Sequence, residues 1–337
     1  MHYTKFKTPI WLVGGHIQTI YPAKLLNIPA PDFRRERWTT PDHDFIDIDF
    51  IDQSNAPAFV LLFHGLEGSS QSHYARSIMN AIKKQGWSGA VAHFRGCSGE
   101  LNLAPRFYHS GDAQEIAWIT QRMHDEFKTR QPNGRFYVCG VSLGGNALLR
   151  YLGEAQQQAG IIDAACAISA PLNLSKSGET LGRGFNKVYT QHFLKTLKPK
   201  CEAKLKQYPD LFNARAMREA NSFLEFDDAV TAPLHGYRDV HDYWDRASSC
   251  HVLEDIRVPS LILNAKNDPF LPGQYLPKKA SSYVTLDYHD QGGHVGFTHH
   301  EQKQDWLATK LCNFFKQHMQ ISQQLLHSQT TQTTHHG

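Results

Sequence analysis

The sequence predicts an α/β protein with a mostly parallel central sheet and helices on both faces. Three patterns support this prediction. Short, continuous apolar runs recur along the chain, as expected for strands that are buried on both faces. Segments with helical patterns separate these runs. One further run alternates apolar and acidic residues, which is typical of a strand with one solvated face.

The strands are predicted in chain order. Residues 45–51 form the alternating run and are expected to be a half-solvated, antiparallel edge strand. The continuous apolar runs follow at 58–63, 89–94, 136–139, 164–168 and 260–264, and a last strand is expected at 283–288.

Helices are predicted between these strands. One begins at Asp112, where Glu115, three residues on, would complete a capping box. Others are expected at about 143–158 and 301–319. Between residues 171 and 259 the alternation stops, and the chain is polar and helical in pattern. We interpret this stretch as a helical cap inserted over the carboxyl edge of the sheet, within one domain at 1–320. Residues 321–337 are rich in Gln, Thr, Ser and His and are predicted to be a disordered tail.

Composition excludes several classes of function. The 337 residues carry 35 Lys and Arg against 32 Asp and Glu, a balance that argues against a nucleic-acid partner. No run of about 18 apolar residues is present, and the N-terminus lacks the features of a signal peptide. The six cysteines form no C-x-x-C pair, so neither a disulfide framework nor a zinc ribbon is expected. These features predict a cytoplasmic protein whose oligomeric state the sequence does not define.

The strongest chemical signal is Gly140-Val141-Ser142-Leu143-Gly144, which follows a predicted strand and opens a helix. This is the G-x-S-x-G pattern in its strand–turn–helix context. Glycine is needed on both sides because a Cβ there would clash with the neighbouring strand or helix. Ser142 is therefore the candidate nucleophile. The competing interpretation is a glycine-rich turn with an incidental serine.

A serine hydroxyl needs a base to accept its proton, and the partners should follow in the order Ser, acid, His. Asp268 follows the strand at 260–264, and His294 follows the last strand. Their order and strand-end positions favour them. Asp before Pro is also a common turn starter, and the chain has 20 histidines. Asp239 or Asp242 and His299 or His300 therefore remain as substitutes.

The oxyanion hole is expected to use two backbone N–H groups, from Leu143 and from Leu66 in the loop after the strand at 58–63. His64 is expected to brace that loop. Arg95 is expected to pair with a nearby carboxylate, and Cys97 has no recognisable histidine partner. No H-E-x-x-H motif is present, so no metal is expected. The cap lysines could attract anionic substrates or contact a membrane surface transiently, but a solvated helix face is the more ordinary interpretation.

These residues resemble the α/β-hydrolase superfamily, and further motifs resemble one branch, the YheT-like hydrolases related to the animal abhydrolase-domain lipases. The motifs are Trp11–Ile20, Phe94–Gly99, Tyr108–Gly111 and Pro233–Gly236. The resemblance covers about residues 5 to 318 and implies an ester hydrolase without metal or organic cofactor. Ser142, Asp268 and His294 fall on the family's triad positions. His93 departs from the asparagine that is common in the family, and the N-terminal membrane anchor of animal members is not seen.

The sequence thus predicts a serine carboxylesterase that forms an acyl-enzyme on a small-molecule ester, with a short or medium acyl chain or a monoacylglycerol-like structure. A thioester or an amide could be cleaved by the same triad, because specificity resides in the pocket. The alternative from another class is a binding protein on a hydrolase fold. That alternative is disfavoured because every catalytic element is present.

Overall fold

The computed structural model describes residues 6–299 and 306–333, with side chains to residue 320. Its eight strands form one sheet in the order β1-β2-β4-β3-β5-β6-β7-β8. The six strands from β4 to β8 in that order run parallel, whereas β2 pairs antiparallel with β1 and β4. The strands are β1 Arg34–Thr39, β2 Phe45–Ile51, β3 Ala58–Phe63, β4 Ser88–Ala92, β5 Arg135–Val141, β6 Ala164–Ile168, β7 Ser260–Ala265 and β8 Val284–His289.

Helices cover both faces of this sheet, as predicted. Successive residues of β3 point to opposite faces, so Leu61 packs in the core with α3 and α4 while Leu62 packs in the core with α2 and α11. The helices of these two layers are α2 His73–Lys84, α3 Ala113–Arg130, α4 Leu143–Ala155 and α11 Trp306–Thr333, and α1 spans Gly14–Lys24.

The edge of the sheet differs from the prediction. The alternating strand β2 lies between β1 and β4, and all seven of its residues are buried. The edge strand on this side of the sheet is β1, which was not predicted because its Arg-Arg-Glu-Arg-Trp-Thr sequence carries little apolar signal. Arg35 and Arg37 lie directly opposite Asp49 and Asp47 and cover their carboxylates. The acidic residues of β2 therefore face ion-pair partners.

Two helix ends also differ from expectation. Asp112 caps α3 by accepting a hydrogen bond from the Glu115 N–H at 3.3 Å. The Glu115 carboxylate binds Arg95 instead of returning to the cap, so the capping box is only half formed. At the other end of the chain, α11 continues to Thr333, beyond residue 320 where the tail was predicted to begin. No glycine or proline interrupts residues 306–333. Residues 300–305 and 334–337 lie outside the described part.

Six helices lie between β6 and β7, where the cap was predicted. They are α5 Leu174–Leu181, α6 Lys187–Gln207, α7 Ala214–Glu219, α8 Phe223–Phe226, α9 Ala232–Leu234 and α10 Val240–Ala247. A π-helical turn at Asp227–Thr231 joins α8 to α9. The segment has apolar clusters of its own, one of which includes Leu194, Met217 and Val230. Among the described residues, no helix has the length and apolar character needed to cross a membrane.

Candidate active site

Ser142 lies on a sharp turn between β5 and α4. Its backbone has φ 53° and ψ −120°, a strained conformation for a residue with a side chain. A Cβ on Gly140 would lie 2.4 Å from the Gly144 carbonyl oxygen, and one on Gly144 would lie 2.5 Å from the His64 carbonyl oxygen. Both glycines are therefore required for the close approach of the strands and the helix, as the sequence analysis expected.

The structure brings the three predicted residues together. The His294 Nε2 lies 2.9 Å from the Ser142 Oγ, and the His294 Nδ1 lies 2.8 Å from an Asp268 carboxylate oxygen. The second Asp268 oxygen accepts a hydrogen bond from the Phe270 N–H at 2.7 Å. The Phe270 ring stacks on the His294 imidazole, with 3.9 Å between ring centroids. This geometry places a proton on Nδ1 and leaves Nε2 facing the serine hydroxyl.

The substitute residues lie in other roles. Asp239 caps α10, and Asp242 pairs with Arg238 and Arg246. His299 is buried, with its ring 6.3 Å from that of Phe6. His300 lies outside the described residues. The distances therefore favour Asp268 and His294 over these substitutes.

The loop after β3 lies against Ser142. A Cβ on Gly65 would be 3.0 Å from the Ser142 Cβ, and both Leu66 and Leu143 line the same cavity as Ser142. His64 braces this loop: its Nδ1 lies 2.7 Å from the Gly65 carbonyl oxygen, and its Nε2 accepts a hydrogen bond from the Phe94 N–H. Burial lowers the pKa of His64 to about 3, so it stays neutral.

A layer of support from α1 was missed by the sequence analysis. The Thr19 hydroxyl accepts a hydrogen bond from the His294 N–H at 2.8 Å. The Gln18 carbonyl oxygen accepts from the Gly292 N–H and from the Asn267 amide, each at 2.8 Å. These contacts tie together the two loops that carry Asp268 and His294. The available signal was a Gly-Gly-His-x-Gln-Thr motif with polar residues on one helix face.

Glycine allows this close packing of α1 on the loops. A Cβ on Gly15 would lie only 1.9 Å from the Asn267 carbonyl oxygen. A Cβ on Gly296 would lie 2.0 Å from the Gln18 carbonyl oxygen. The helix backbone thus contacts the loop backbone directly, which leaves no room for any other residue at these two positions.

A mostly apolar cavity opens beside Ser142, and the cap supplies much of its wall. Its apolar lining from the cap includes Leu181, Phe193, Leu197, Phe226, Val230 and Trp244. Asp227 also lines it, with its carboxylate held by the Thr231 hydroxyl and the Trp244 indole N–H. Burial raises the pKa of Asp227 to about 6.

Two cap lysines depart from the solvated-face interpretation. Lys200 donates to the Glu67 carboxylate at 2.7 Å, and that carboxylate also accepts from the Tyr108 hydroxyl. Lys204 is fully buried and donates to the carbonyl oxygens of Asn102 and Ala104. These contacts join α6 to the loop after β3 and to the loop at 102–107.

The remaining residues with predicted roles are structural. Arg95 is buried among the carboxylates of Asp42, Asp44 and Glu115, as expected for a pairing role. Burial raises the pKa of the Cys97 thiol to about 12, which disfavours the reactive thiolate. The His93 Nε2 lies 3.0 Å from an Asp49 carboxylate oxygen, within hydrogen-bond distance. Within residues 6–299 and 306–320, no group of three or more His, Cys, Asp or Glu side chains is arranged to hold a metal ion.

Comparisons with known proteins agree with this fold. A family model described as serine aminopeptidase, S33 (Hydrolase_4) matches residues 54–298. The putative esterase YheT of Escherichia coli K12 is 36% identical over 313 residues, which cover 88% of this chain and 91% of that protein. The phospholipase ABHD3 of Mus musculus is 29% identical, with 86% and 72% covered. The monoacylglycerol lipase of Saccharomyces cerevisiae is 29% identical, with 84% of this chain but only 63% of that protein covered.

Solved structures give the same architecture. An esterase from Pyrococcus furiosus superposes with a TM-score of 0.55 at 19% identity, covering 87% of this chain and 98% of that one. The esterase EaEST from Exiguobacterium antarcticum superposes with a TM-score of 0.53 at 16% identity, covering 83% and 98%. At these identities the likeness concerns the fold alone. Together with the family match and the YheT relative, it leads to one conclusion: the chain belongs to the Hydrolase_4 family of α/β hydrolases.

Proposed function

We propose that this enzyme hydrolyses apolar carboxylic esters through Ser142, His294 and Asp268, with an acyl-enzyme intermediate. One observation carries the proposal: the unbroken hydrogen-bonded series from the Ser142 Oγ through both ring nitrogens of His294 to Asp268, at 2.9 and 2.8 Å. Asp268 is nearly inaccessible to water, with 1% of its surface exposed. A buried carboxylate at Nδ1 both selects the tautomer of the imidazole and stabilises its protonated form.

The reaction takes two steps. The Ser142 oxygen attacks the ester carbonyl carbon while the His294 Nε2 accepts the hydroxyl proton. The tetrahedral intermediate collapses, the carbon–oxygen bond to the alcohol breaks, and His294 returns the proton to the leaving alcohol. Water then attacks the acyl-enzyme while His294 accepts one of its protons. The second tetrahedral intermediate collapses, the bond between the acyl carbon and the Ser142 oxygen breaks, and His294 returns the proton to that oxygen, which releases the carboxylic acid and restores Ser142.

The backbone N–H groups of Leu66 and Leu143 are proposed to hold the oxyanion. Both residues line the cavity with Ser142, and Leu143 is the first residue of α4, whose positive helix dipole end faces the serine turn. Gly65 brings its loop against the Ser142 Cβ. Backbone donors positioned in this way stabilise negative charge without reorganising during the reaction.

The substrate class follows from the cavity. Leucine and phenylalanine are the commonest residues in its mostly apolar walls, which suit an acyl chain rather than a polar chain. The names of two relatives, a monoacylglycerol lipase and a phospholipase, also point to lipid esters. We therefore expect a short- or medium-chain ester, such as a monoacylglycerol-like lipid.

Labelling with a fluorophosphonate probe tests the nucleophile directly. We expect one adduct per wild-type chain by intact mass and none on Ser142→Ala, because only a serine activated by a base attacks the probe. Ser177→Ala is the matched control, since Ser177 lines the same cavity on the cap and should leave the adduct unchanged. An adduct that persists in a folded Ser142→Ala variant would contradict the assignment.

A second candidate is an amide or peptide, because the matching family model is described as a serine aminopeptidase. The cavity offers little to bind a free amino group. Of its two carboxylates, Glu67 is paired with Lys200 and Asp227 is held by Thr231 and Trp244. A series of acyl chain lengths presented as esters, thioesters and amino-acid anilides would rank these substrates by kcat/KM. We expect esters to lead.

A further inference from the structure

Helix α1 has an inverted distribution of polarity. Its buried residues are Gln18, Thr19 and Pro22, because the first two hold the loops of the active site. Two apolar side chains face outward instead: Ile17 is 49% exposed, and Val13, the residue just before the helix, is 70% exposed. A surface helix usually buries its apolar side and exposes its polar side. No contact among the described residues therefore explains why these apolar side chains are exposed.

This surface extends along the N-terminal segment and onto the start of α6. We define the apolar face as Ile10, Trp11, Val13, Ile17, Leu25, Phe185 and Val188, each of which is about half exposed or more. The Phe185 ring lies 4.7 Å from the His16 ring, and the His16 Nδ1 lies 3.1 Å from the Tyr189 hydroxyl. These contacts join α1 to α6, so the two sets of exposed side chains are neighbours. A patch of this kind marks an interaction surface.

The two segments that carry the apolar face contain only positively charged side chains. Neither residues 6–31 nor residues 180–201, which form the two segments, contain an Asp or Glu. Lys24, Lys187 and Lys195 are exposed and form no ion pair with a described carboxylate. Lys24 and Lys195 both act electrostatically on His192, which places them around the same part of α6. A cationic rim around exposed apolar side chains suits an anionic lipid surface.

The apolar face also lies close to the proposed catalytic residues. Tyr189 links the two regions. Its hydroxyl lies within hydrogen-bond distance of His16, and its ring centroid lies 5.0 Å from that of Phe270. Phe270 in turn stacks on His294. Only two aromatic rings therefore separate the apolar face from the imidazole.

We propose that the apolar face docks on an anionic lipid bilayer and holds the active site at the membrane surface. The exposed side chains insert at the boundary between headgroups and acyl chains, while Lys24, Lys187 and Lys195 contact the anionic headgroups. The docking is independent of the esterase chemistry, so the two proposals can fail separately.

Vesicle sedimentation of the full chain tests this docking. We expect binding to phosphatidylcholine vesicles that contain phosphatidylglycerol, and weaker binding that is insensitive to salt when phosphatidylglycerol is omitted. The triple variant Ile10→Ser, Val13→Ser, Leu25→Ser should lose roughly 10- to 100-fold in partition constant, because it removes three inserting side chains. The variant Lys24→Gln, Lys187→Gln, Lys195→Gln should lose roughly tenfold or more on anionic vesicles only.

Three controls separate docking from folding and from catalysis. Tyr283→Ser removes an apolar side chain that is 48% exposed at the amino end of β8, away from the site, and should bind like wild type. Ser142→Ala should also bind like wild type. Both triple variants should hydrolyse a water-soluble short ester at the wild-type rate, which shows that they fold.

Three results would overturn the proposal. Wild type could fail to sediment with anionic vesicles. The triple variant Ile10→Ser, Val13→Ser, Leu25→Ser could bind as tightly as wild type. The third result is that wild type sediments as a dimer in analytical ultracentrifugation, whereas the variant Ile10→Ser, Val13→Ser, Leu25→Ser sediments as a monomer. A second copy of the chain would then cover the apolar face.

Discussion

Both oxygens of the Asp268 carboxylate are used, one by the His294 ring and one by the Phe270 backbone N–H. The residue follows β7 directly, and its loop is fastened to α1 through Asn267 and Gln18. A carboxylate with no freedom to rotate holds the imidazole in one orientation. The catalytic contribution that we propose for Asp268 is to fix the tautomer of His294 and to stabilise its protonated form, and an isosteric substitution isolates this contribution.

Asp268→Asn should lower kcat by about 10³- to 10⁴-fold with little change in the fold, because the amide favours the wrong tautomer of His294. Steady-state hydrolysis of a soluble ester measures the change. Asp239→Asn is the control: Asp239 caps α10, and asparagine caps a helix equally well. A similar loss in both variants would point to a general structural effect and contradict the role given to Asp268.

At the scale of elements, β1 allows β2 to be buried although β2 contains acidic residues. The directly opposed pairs Arg35–Asp49 and Arg37–Asp47 are cross-strand ion pairs with nearly inaccessible carboxylates. Burial alone would raise the pKa of Asp49, but hydrogen bonds from Arg35, His93 and Ser70 hold it well below its usual range. By contrast, Arg34 of β1 pairs with Asp52, and both of these side chains are about half exposed.

Arg35→Met should lower the free energy of unfolding by about 2–4 kcal/mol, because it leaves the Asp49 charge buried without its main partner. Arg34→Met should cost less than about 1 kcal/mol, as for other exposed pairs. Urea unfolding of both variants at neutral pH gives the comparison. Equal losses would mean that burial of the carboxylate does not determine the strength of these pairs.

At the scale of the whole molecule, the cap is attached to the sheet domain by polar contacts that are buried or partly buried. Lys200 binds Glu67, Lys204 binds the loop at 102–107, and the Asn186 amide donates to the Pro269 carbonyl oxygen. Within the cap, Asp227 links the π-helical turn to α10 through Trp244. Burial raises the pKa of Asp227, so the folded protein binds its proton more tightly than the unfolded chain does.

This shift makes stability depend on pH. The stabilising effect of the Asp227 proton is fully present below the unfolded pKa, near 4, and is lost as the pH rises through about 6. Asp227→Asn should therefore be more stable than wild type by about 1–3 kcal/mol near pH 8, with the difference vanishing near pH 4. Urea unfolding across this range measures it. A difference in stability that stays constant from pH 4 to pH 8 would contradict this assignment.

The sequence by itself determined the strands of the parallel core, the strained turn at Ser142 and the order in which Asp268 and His294 follow it. These features are local, because apolar runs, paired glycines and strand ends depend on residues that are neighbours in the sequence. The tertiary structure decided what depends on contacts between distant segments. Thr19 accepts a hydrogen bond from His294, which lies 275 residues further along the chain. Arginines of β1 cover the acidic residues of β2, and Lys204 is buried against the loop at 102–107. A polar side chain acquires such a role only from the partner that folding brings to it, and one stretch of sequence does not contain that partner.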